Sequence, residues 1–498
     1  MTQLDHLGYL TKDAVRLWPD RPALIQDDLA FSYAELDQRA DRVAGWLAGR
    51  GVVAGSRVAL LWNNDIRYVE TFLGIMRAGA VAVPLNARQN DETLSYVLAD
   101  AGCEGILAGP GEEDRARALA GARLFVAEPD EPQQAEPMGE PRPHDPDAPC
   151  MQPYTSGSTG RPKGVPLTHR GQIWCADMVR KCYLFDETER ALLAAPLFHE
   201  NAAMTLKAML LAGGACVVLP GFDPHAMLRA IDQYRITYLS GVPAMYRMLL
   251  NETEELSRRD VTSVRFATAG SAPVTVDLLE DFQRVFGAPI AEGYGLTEGG
   301  PDVLLAPRWG INKLGSLGLP IPGCEVQLRE PDGVTPVQTG EVGELWVRNP
   351  GVTPGYHNLP DVSSERIRGG WLATRDLMRE DADGCYYFVG RSDDLINVGG
   401  ENVYPKEVEQ LLLRHPAVRD VAVVGGAHPV RGAVPIAFVV LSGPGAATAA
   451  ELTEFFHGVG PHYAYPRVIE FVDALPLAGT GKVDRAALQE RAAGLVAA

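Results

Sequence analysis

The run Tyr154-Thr155-Ser156-Gly157-Ser158-Thr159-Gly160-Arg161-Pro162-Lys163-Gly164 puts four Ser/Thr hydroxyls, three glycines and one lysine into eleven residues. Glycines let backbone N–H groups approach a ligand closely, hydroxyls add short donors, and a lysine supplies one mobile cation. That combination suits a polyphosphate. It is not a Walker A loop, which needs G-x-x-x-x-G-K-[ST]. A flexible Ser/Gly linker is the alternative, but a linker needs neither the Lys-Gly ending nor a strand-like entry. The chain has only seven lysines (12, 163, 181, 207, 313, 406 and 482), and its other cations are arginines. Lys163 and Lys482 each stand in a Gly/Thr-rich turn, and lysine is the compact point charge that can follow charge on a phosphate as it moves.

Further chemistry-bearing segments follow in order. They are Glu292-Gly293-Tyr294-Gly295-Leu296-Thr297-Glu298, Trp371 to Asp376, Gly390-Arg391-Ser392-Asp393-Asp394, Gly399-Gly400-Glu401-Asn402 and Thr480-Gly481-Lys482. With the 154–164 loop they resemble the signatures of the adenylate-forming superfamily, and most of all its acyl- and aryl-CoA synthetase branch. The resemblance covers essentially the whole chain.

The resemblance implies a two-step ligase. A carboxylic acid attacks the α-phosphate of Mg·ATP, pyrophosphate leaves, and coenzyme A displaces AMP from the acyl-AMP. In the first step charge builds on phosphorus, so catalysis is mostly positioning and electrostatic stabilisation. By resemblance Thr155, Ser156, Gly157, Ser158, Thr159, Gly160 and Lys163 hold the phosphates. Ser271, Ala272, Glu292, Gly293, Tyr294 and Gly295 line the nucleotide, with Tyr294 on the adenine. Thr297 donates to the α-phosphate, and Glu298 holds Mg²⁺, a hard cation suited to carboxylate oxygen. Asp376, an acceptor-only group, suits the ribose diol. Arg391 contacts ribose or phosphates, or else forms an ion pair with Asp393 or Asp394. Asp393 is the expected hinge, and Lys482 enters for adenylation only. Gly399 and Gly400 flank the pantetheine arm, or are simply turn glycines. One departure is visible: the family's Thr-Gly-Asp reads Thr374-Arg375-Asp376 here, which puts the local backbone shape in question.

For the acid, the resemblance points to His199 and Asn201, Gly241, Gly270 and Gly299. Many of the residues in these segments are small, which implies a roomy pocket for a fatty, aryl or polycyclic acid. His199 either walls that pocket beside the carboxylate or is a satisfied core histidine. Glu200 but no aspartate stands in the first of these segments, which disfavours an amino acid. The absence of arginine from them disfavours a second carboxylate. A ligase that loads a carrier protein is the alternative enzyme, and a non-catalytic nucleotide sensor is the alternative outside enzymes. A monomer or homodimer is expected.

These residues need rigid elements. Ser32 and Glu35 form a capping box ahead of Leu36, Ala40, Val43 and Leu47 at helical spacing. Short apolar runs at Val58–Leu61 and Val81–Pro84 alternate with helical patterns, which predicts doubly wound α/β sheets. Seven prolines between Glu128 and Pro149 predict a loop without regular structure. Leu314–Phe388 reads as a small β subdomain, and a mobile α+β domain follows. The expected division is 1–391 and 392–498. The length of 498 residues and the 46% hydrophobic content fit a multi-domain globular chain. The net charge of −19 argues against nucleic acid and anionic membranes. Seven cysteines without a C-x-x-C pair give no zinc or disulfide framework. No apolar signal core precedes Lys12, and Ala191–Pro220 is broken by His199, Glu200, Lys207 and two glycines. The default expectation is a cytoplasmic protein.

Overall fold

The computed structural model describes residues 4–139, 142, 144–156, 161–270, 274–308, 310, 313–399, 401–429, 431–476 and 483–495. The fold is mixed α/β, with a large N-terminal domain and a small C-terminal one. Two compact units emerge: Met1–Val326 with Val347–Leu372, and Gln327–Trp346 with Ala373–Ala498.

Among the described residues, the larger unit carries two principal sheets. One has six strands, with Val81–Leu85, Arg57–Leu61, Cys103–Ala108 and Phe125–Ala127 running parallel. Its apolar runs are buried on both faces, as a sheet covered by helices requires. The other has nine strands. Its parallel centre is Ala215–Val218, Arg190–Leu193, Tyr238–Gly241, Phe266–Ala269 and Ile290–Gly295. Antiparallel pairing begins at its edge, where Asp302–Leu305 folds back on Ile290–Gly295. That reversal places the sequence after Gly295 at the carboxyl end of the parallel strands, where open α/β sheets bind ligands.

The capping box forms as expected: Ser32 Oγ accepts from Glu35 N at 3.2 Å, and Glu35 Oε2 accepts from Ser32 N at 2.7 Å. The proline-rich segment departs from expectation. It contains a 3₁₀ turn, Glu131–Gln134, and it is tied to the unit by Met138 N donating to Asp41 O and Gln133 Nε2 donating to Arg39 O. Prolines exclude long helix and central strand, but a proline in the first turn of a 3₁₀ helix lacks only an N–H that has no partner there.

The strands Glu325–Arg329, Val342–Arg348, Ile367–Arg368, Trp371–Glu380 and Tyr386–Arg391 make a five-stranded sheet. Beyond it a further five-stranded sheet pairs Val418–His428 with Gly432–Leu441 over ten register positions. The helices Pro405–Leu412 and Ala449–Val459 bury Val408, Leu412, Leu452 and Phe456 against one face. All seven cysteines are free and buried. No helix among the described residues is long and apolar enough to cross a membrane.

Among the elements that carry the site are β1 (Tyr154–Ser156), β2 (Pro162–Gly164), α1 (His169–Cys182), α2 (Glu200–Ala212), β3 (Ile290–Gly295), β4 (Trp371–Glu380) and β5 (Tyr386–Arg391).

Candidate active site

In the larger unit, β1 and β2 pair as an antiparallel hairpin with Thr155 opposite Lys163. The register puts the two residues directly opposite each other on the hairpin. Gly157, Ser158, Thr159 and Gly160, between the strands, lie outside the described residues, as does the side chain of Ser156. The hairpin meets the turn that follows β3. Thr297–Gly299 is a 3₁₀ turn, and Glu298 Oε1 accepts from Tyr356 Oη at 3.0 Å and from Thr155 Oγ1 at a long 3.4 Å. Lys163 Nζ sits 5.8 Å from the Tyr356 ring centre. Thr155, Lys163 and Glu298 thus share one corner, although the two segments lie 143 positions apart in sequence.

Backbone contacts fix that turn. Glu298 O accepts from Thr353 N at 2.9 Å, Gly299 O from Asn349 Nδ2 at 3.0 Å, and Gly300 O from Gln172 Nε2 at 3.1 Å. A Cβ at Gly295 would stand 1.8 Å from the Pro301 carbonyl oxygen, so only glycine lets the chain turn back there. Glu292 is buried at the register position of Ala269 and accepts from Val274 N at 3.3 Å; burial raises its carboxyl to about 7. Gly293 and Tyr294 pair with Leu305 and Leu304. Ser271 and Ala272 lie outside the described residues.

His199 is exposed and caps α2, its Nδ1 accepting from Asn201 N at 3.4 Å. The core-histidine alternative therefore fails. Asn201 Oδ1 accepts from Ser240 Oγ at 2.8 Å, next to Gly241. A Cβ built at Gly270 would meet Gly293 O at 3.8 Å and Asn201 Nδ2 at 4.0 Å, an ordinary van der Waals contact. Gly299 is packed against Leu296 and Val303 instead.

The smaller unit holds the second group. Asp376 on β4 faces Arg391 on β5 across the ladder. Arg391 Nη1 donates to Asp376 Oδ1 at 3.0 Å, and its Nε and Nη2 grip Asp393 at 2.9 and 3.2 Å. The ion-pair alternative for Arg391 is real, and it includes Asp376. Against the cost of burial, the Arg391 fork holds the Asp393 carboxyl below its ordinary range. Arg375 answers the question raised by the missing glycine. It adopts the left-handed conformation, φ +63°, that glycine would take without strain. Its N–H donates to Glu344 Oε1 at 2.8 Å, and its carbonyl accepts from Ser392 N at 2.8 Å. An arginine thus stands in a conformation that glycine favours. Gly399 has φ +63° with nothing within 4 Å of a built Cβ, in the hairpin between Ile396–Val398 and Glu401–Val403. Gly400 and Lys482 lie outside the described residues.

Tyr356, Asn349 and Gln172 were missed in the sequence. The Thr353-Pro354-Gly355-Tyr356 run announces a turn, but its partner Glu298 is 58 positions away. For Gln172, inside a helical pattern, no signal existed.

Among the described residues no group of three or more His, Cys, Asp or Glu could hold a metal. A single carboxylate with neighbouring hydroxyls, all hard oxygen donors, suits a Mg²⁺ that arrives with phosphate oxygens.

A doubly wound unit with a Ser/Thr-Gly loop hairpin facing a carboxylate turn, followed by a small α+β domain, defines an adenylate-forming enzyme. The chain belongs to the AMP-binding enzyme family, whose model matches residues 11–357; the AMP-binding enzyme C-terminal domain matches 407–482. It is 38% identical to a feruloyl-CoA synthase of Amycolatopsis sp, over 97% of this chain and 99% of that protein. It is 31% identical to a long-chain-fatty-acid–CoA ligase of Yersinia pestis, over 96% and 93%. The solved o-succinylbenzoate coenzyme A synthetase of Bacillus subtilis, in complex with ATP and magnesium ion, superposes with a TM-score of 0.86 at 31% identity, over 96% and 98%. The chain is an AMP-forming acid–CoA ligase, which activates a carboxylic acid with ATP and transfers the acyl group to coenzyme A.

Proposed function

We propose that the acid is a hydrophobic aryl acid of the ferulate kind, with fatty acids as the second reading. The small residues Gly241 and Gly270, with the Asn201–Ser240 pair beside Gly241, support an acid with a flat apolar body. Identity of 38% to a feruloyl-CoA synthase supports the same choice.

The observation that carries the site assignment is the meeting of Thr155, Lys163 and Glu298 in one corner. In this reading Lys163 and the loop hydroxyls bind the β- and γ-phosphates. Glu298 holds Mg²⁺, which when bound offsets charge on the departing pyrophosphate. Thr297 donates to the α-phosphate, and Tyr294 packs on adenine. His199 and Asn201 border the acid, Asp376 accepts from the ribose hydroxyls, and Arg391 orients that carboxylate. Lys482 serves adenylation, Gly399 and Gly400 admit pantetheine, and Asp393 is the hinge of a mobile module from residue 392 onward. ATP, Mg²⁺ and coenzyme A are the expected small molecules, acting in the cytoplasm.

The test measures pyrophosphate and acyl-CoA formation with ferulate, a long-chain fatty acid and 2-succinylbenzoate. Ferulate should give the highest kcat/KM. Preference for the fatty acid by tenfold or more would move the assignment to the second reading. Acyl-AMP that forms but is not transferred to coenzyme A, and instead acylates a carrier protein, would replace the acceptor. Replacing Gly400 with leucine should leave acyl-AMP formation intact and slow thioester formation.

A further inference from the structure

Beneath the Glu298 turn lies a charged group buried among apolar side chains. Lys207 on α2 is 1% exposed and Glu200, two turns earlier, is 4% exposed. Lys207 Nζ donates to Glu200 Oε2 at 2.9 Å and to Gln172 Oε1, with Met151 Sδ at 3.9 Å. Gln172, on α1, is fully buried. Desolvation and the Glu200 carboxylate push the nearby Asp302 carboxyl up to about 7, opposed by Lys207. A buried pair of this kind contributes little to stability compared with apolar residues of the same volume, so a specific geometric role is the better reason for it.

The chemistry of the contact assigns that role. An ammonium only donates, so the Gln172 atom facing it must be the carbonyl oxygen. The amide N–H₂ is then turned the other way, where it donates to Gly300 O at 3.1 Å. Lys207 therefore selects the amide orientation that holds Gly300. Glu298, Gly299 and Gly300 have consecutive carbonyls, each held by a different donor, and the first two donors, Thr353 N and Asn349 Nδ2, come from one loop. Gln172 supplies the third from α1. Without it the turn is anchored on one side only. Glu200 lies in the first turn of α2, next to Asn201, so the same lysine ties the start of that helix to the turn.

We propose that Lys207 and Gln172 are positioning residues for the Glu298 turn, fixing where the Glu298 carboxylate is presented to the metal of Mg·ATP. The proposal rests on the reading of Glu298 as the Mg²⁺ ligand. Residues that orient a ligand typically change metal affinity by ~10–100-fold.

Calorimetric titration with ATP, in the absence of any acid, separates the terms when run once with Mg²⁺ and once with EDTA. Gln172→Met keeps volume and removes the amide. It should weaken binding about tenfold with Mg²⁺ and leave binding in EDTA at the parent value. The double variant Glu200→Gln/Lys207→Met removes both members of the ion pair together, so neither is left buried without the other. It should show the same metal-dependent loss, and it carries the test if Gln172→Met does not fold. Equal losses with and without Mg²⁺, or no loss in either, overturn the proposal. Glu298→Gln is the control. If it shows the metal-dependent loss while the other two variants do not, only the positioning role falls. If it shows none, the metal assignment of Glu298 falls with it.

Discussion

Two carboxylates on this chain are set up in opposite ways. Glu298 takes hydrogen bonds from the hydroxyls of Tyr356 and Thr155, while Asp376 is gripped by the Arg391 guanidinium. Hydroxyls orient a carboxylate without neutralising it, so its charge remains available to a cation. A guanidinium neutralises and aims it, so what remains is acceptor geometry suited to a pair of hydroxyls. The first arrangement suits a metal and the second a ribose. The difference also shows how each was built. Glu298 depends on segments scattered between Thr155 and Tyr356, whereas Asp376, Arg391 and Asp393 fall within one β-hairpin and its exit.

The comparison breaks first at charge. Glu298→Gln keeps shape and loses charge, so acid-dependent pyrophosphate release should fall by ~10²–10³. Lys163→Ala should fall similarly at subsaturating ATP. A Glu298→Gln enzyme within threefold of the parent would mean that its charge is not used.

Acid lability sharpens the comparison between the two units, because the larger one holds a cluster of buried histidines. His6, His144 and His169 pack together in the larger unit, with ring centres 4.1 to 5.8 Å apart, beside Asp5 and Arg77. The Nδ1 atoms of His6 and His169 accept from Gly8 N and Leu7 N. Burial, with the neighbouring histidines and Arg77 adding to it, lowers His6 to about 3; burial and His144 lower His169 to about 4. The unfolded chain therefore binds protons below about pH 6.5 that the folded chain refuses. Stability is full above that pH and declines toward pH 4, by on the order of 2–4 kcal/mol at pH 5. The double variant His6→Asn/His169→Asn should melt lower at pH 7.5 but lose less between pH 7.5 and 5. Parallel slopes for parent and variant would clear the histidines.

At Asp376 the expected loss is smaller. Asp376→Asn still accepts from a hydroxyl, so ATP binding should weaken about tenfold, in line with one hydrogen bond to a charged group, with the effect in KM more than kcat. A larger loss than that of Glu298→Gln would invert the comparison.

The smallest effect is expected at Arg375. Left-handed backbone costs a non-glycine residue ~1–2 kcal/mol, and glycine gives back ~0.5–1 of it in unfolded-state freedom. Arg375→Gly should thus stabilise by about 0.5–1 kcal/mol in denaturant titration. Destabilisation instead would show that the Arg375 side chain, 4.0 Å from Asp393, supports the hinge segment.

The sequence alone determined whatever depends on neighbours in the chain. The capping box at Ser32 and the alternation of apolar runs that makes parallel sheets follow from local periodicity and side-chain chemistry, while Tyr294, Thr297 and Glu298 were marked by resemblance to the adenylate-forming superfamily. The resemblance also flagged Arg375 as a departure, but only the folded backbone shows its positive φ and its hydrogen bonds to Glu344 and Ser392. Tertiary structure alone decided that His199 caps a helix at the surface, that Tyr356 reaches Glu298, and that Lys207 is buried. Lys207 stood among the seven lysines as no more than an interruption of an apolar stretch. A buried charge is intelligible only through its partners, and those of Lys207 come from α1 as well as its own helix. Pairings of that kind are set by how helices pack on a sheet, and no spacing in the sequence encodes them.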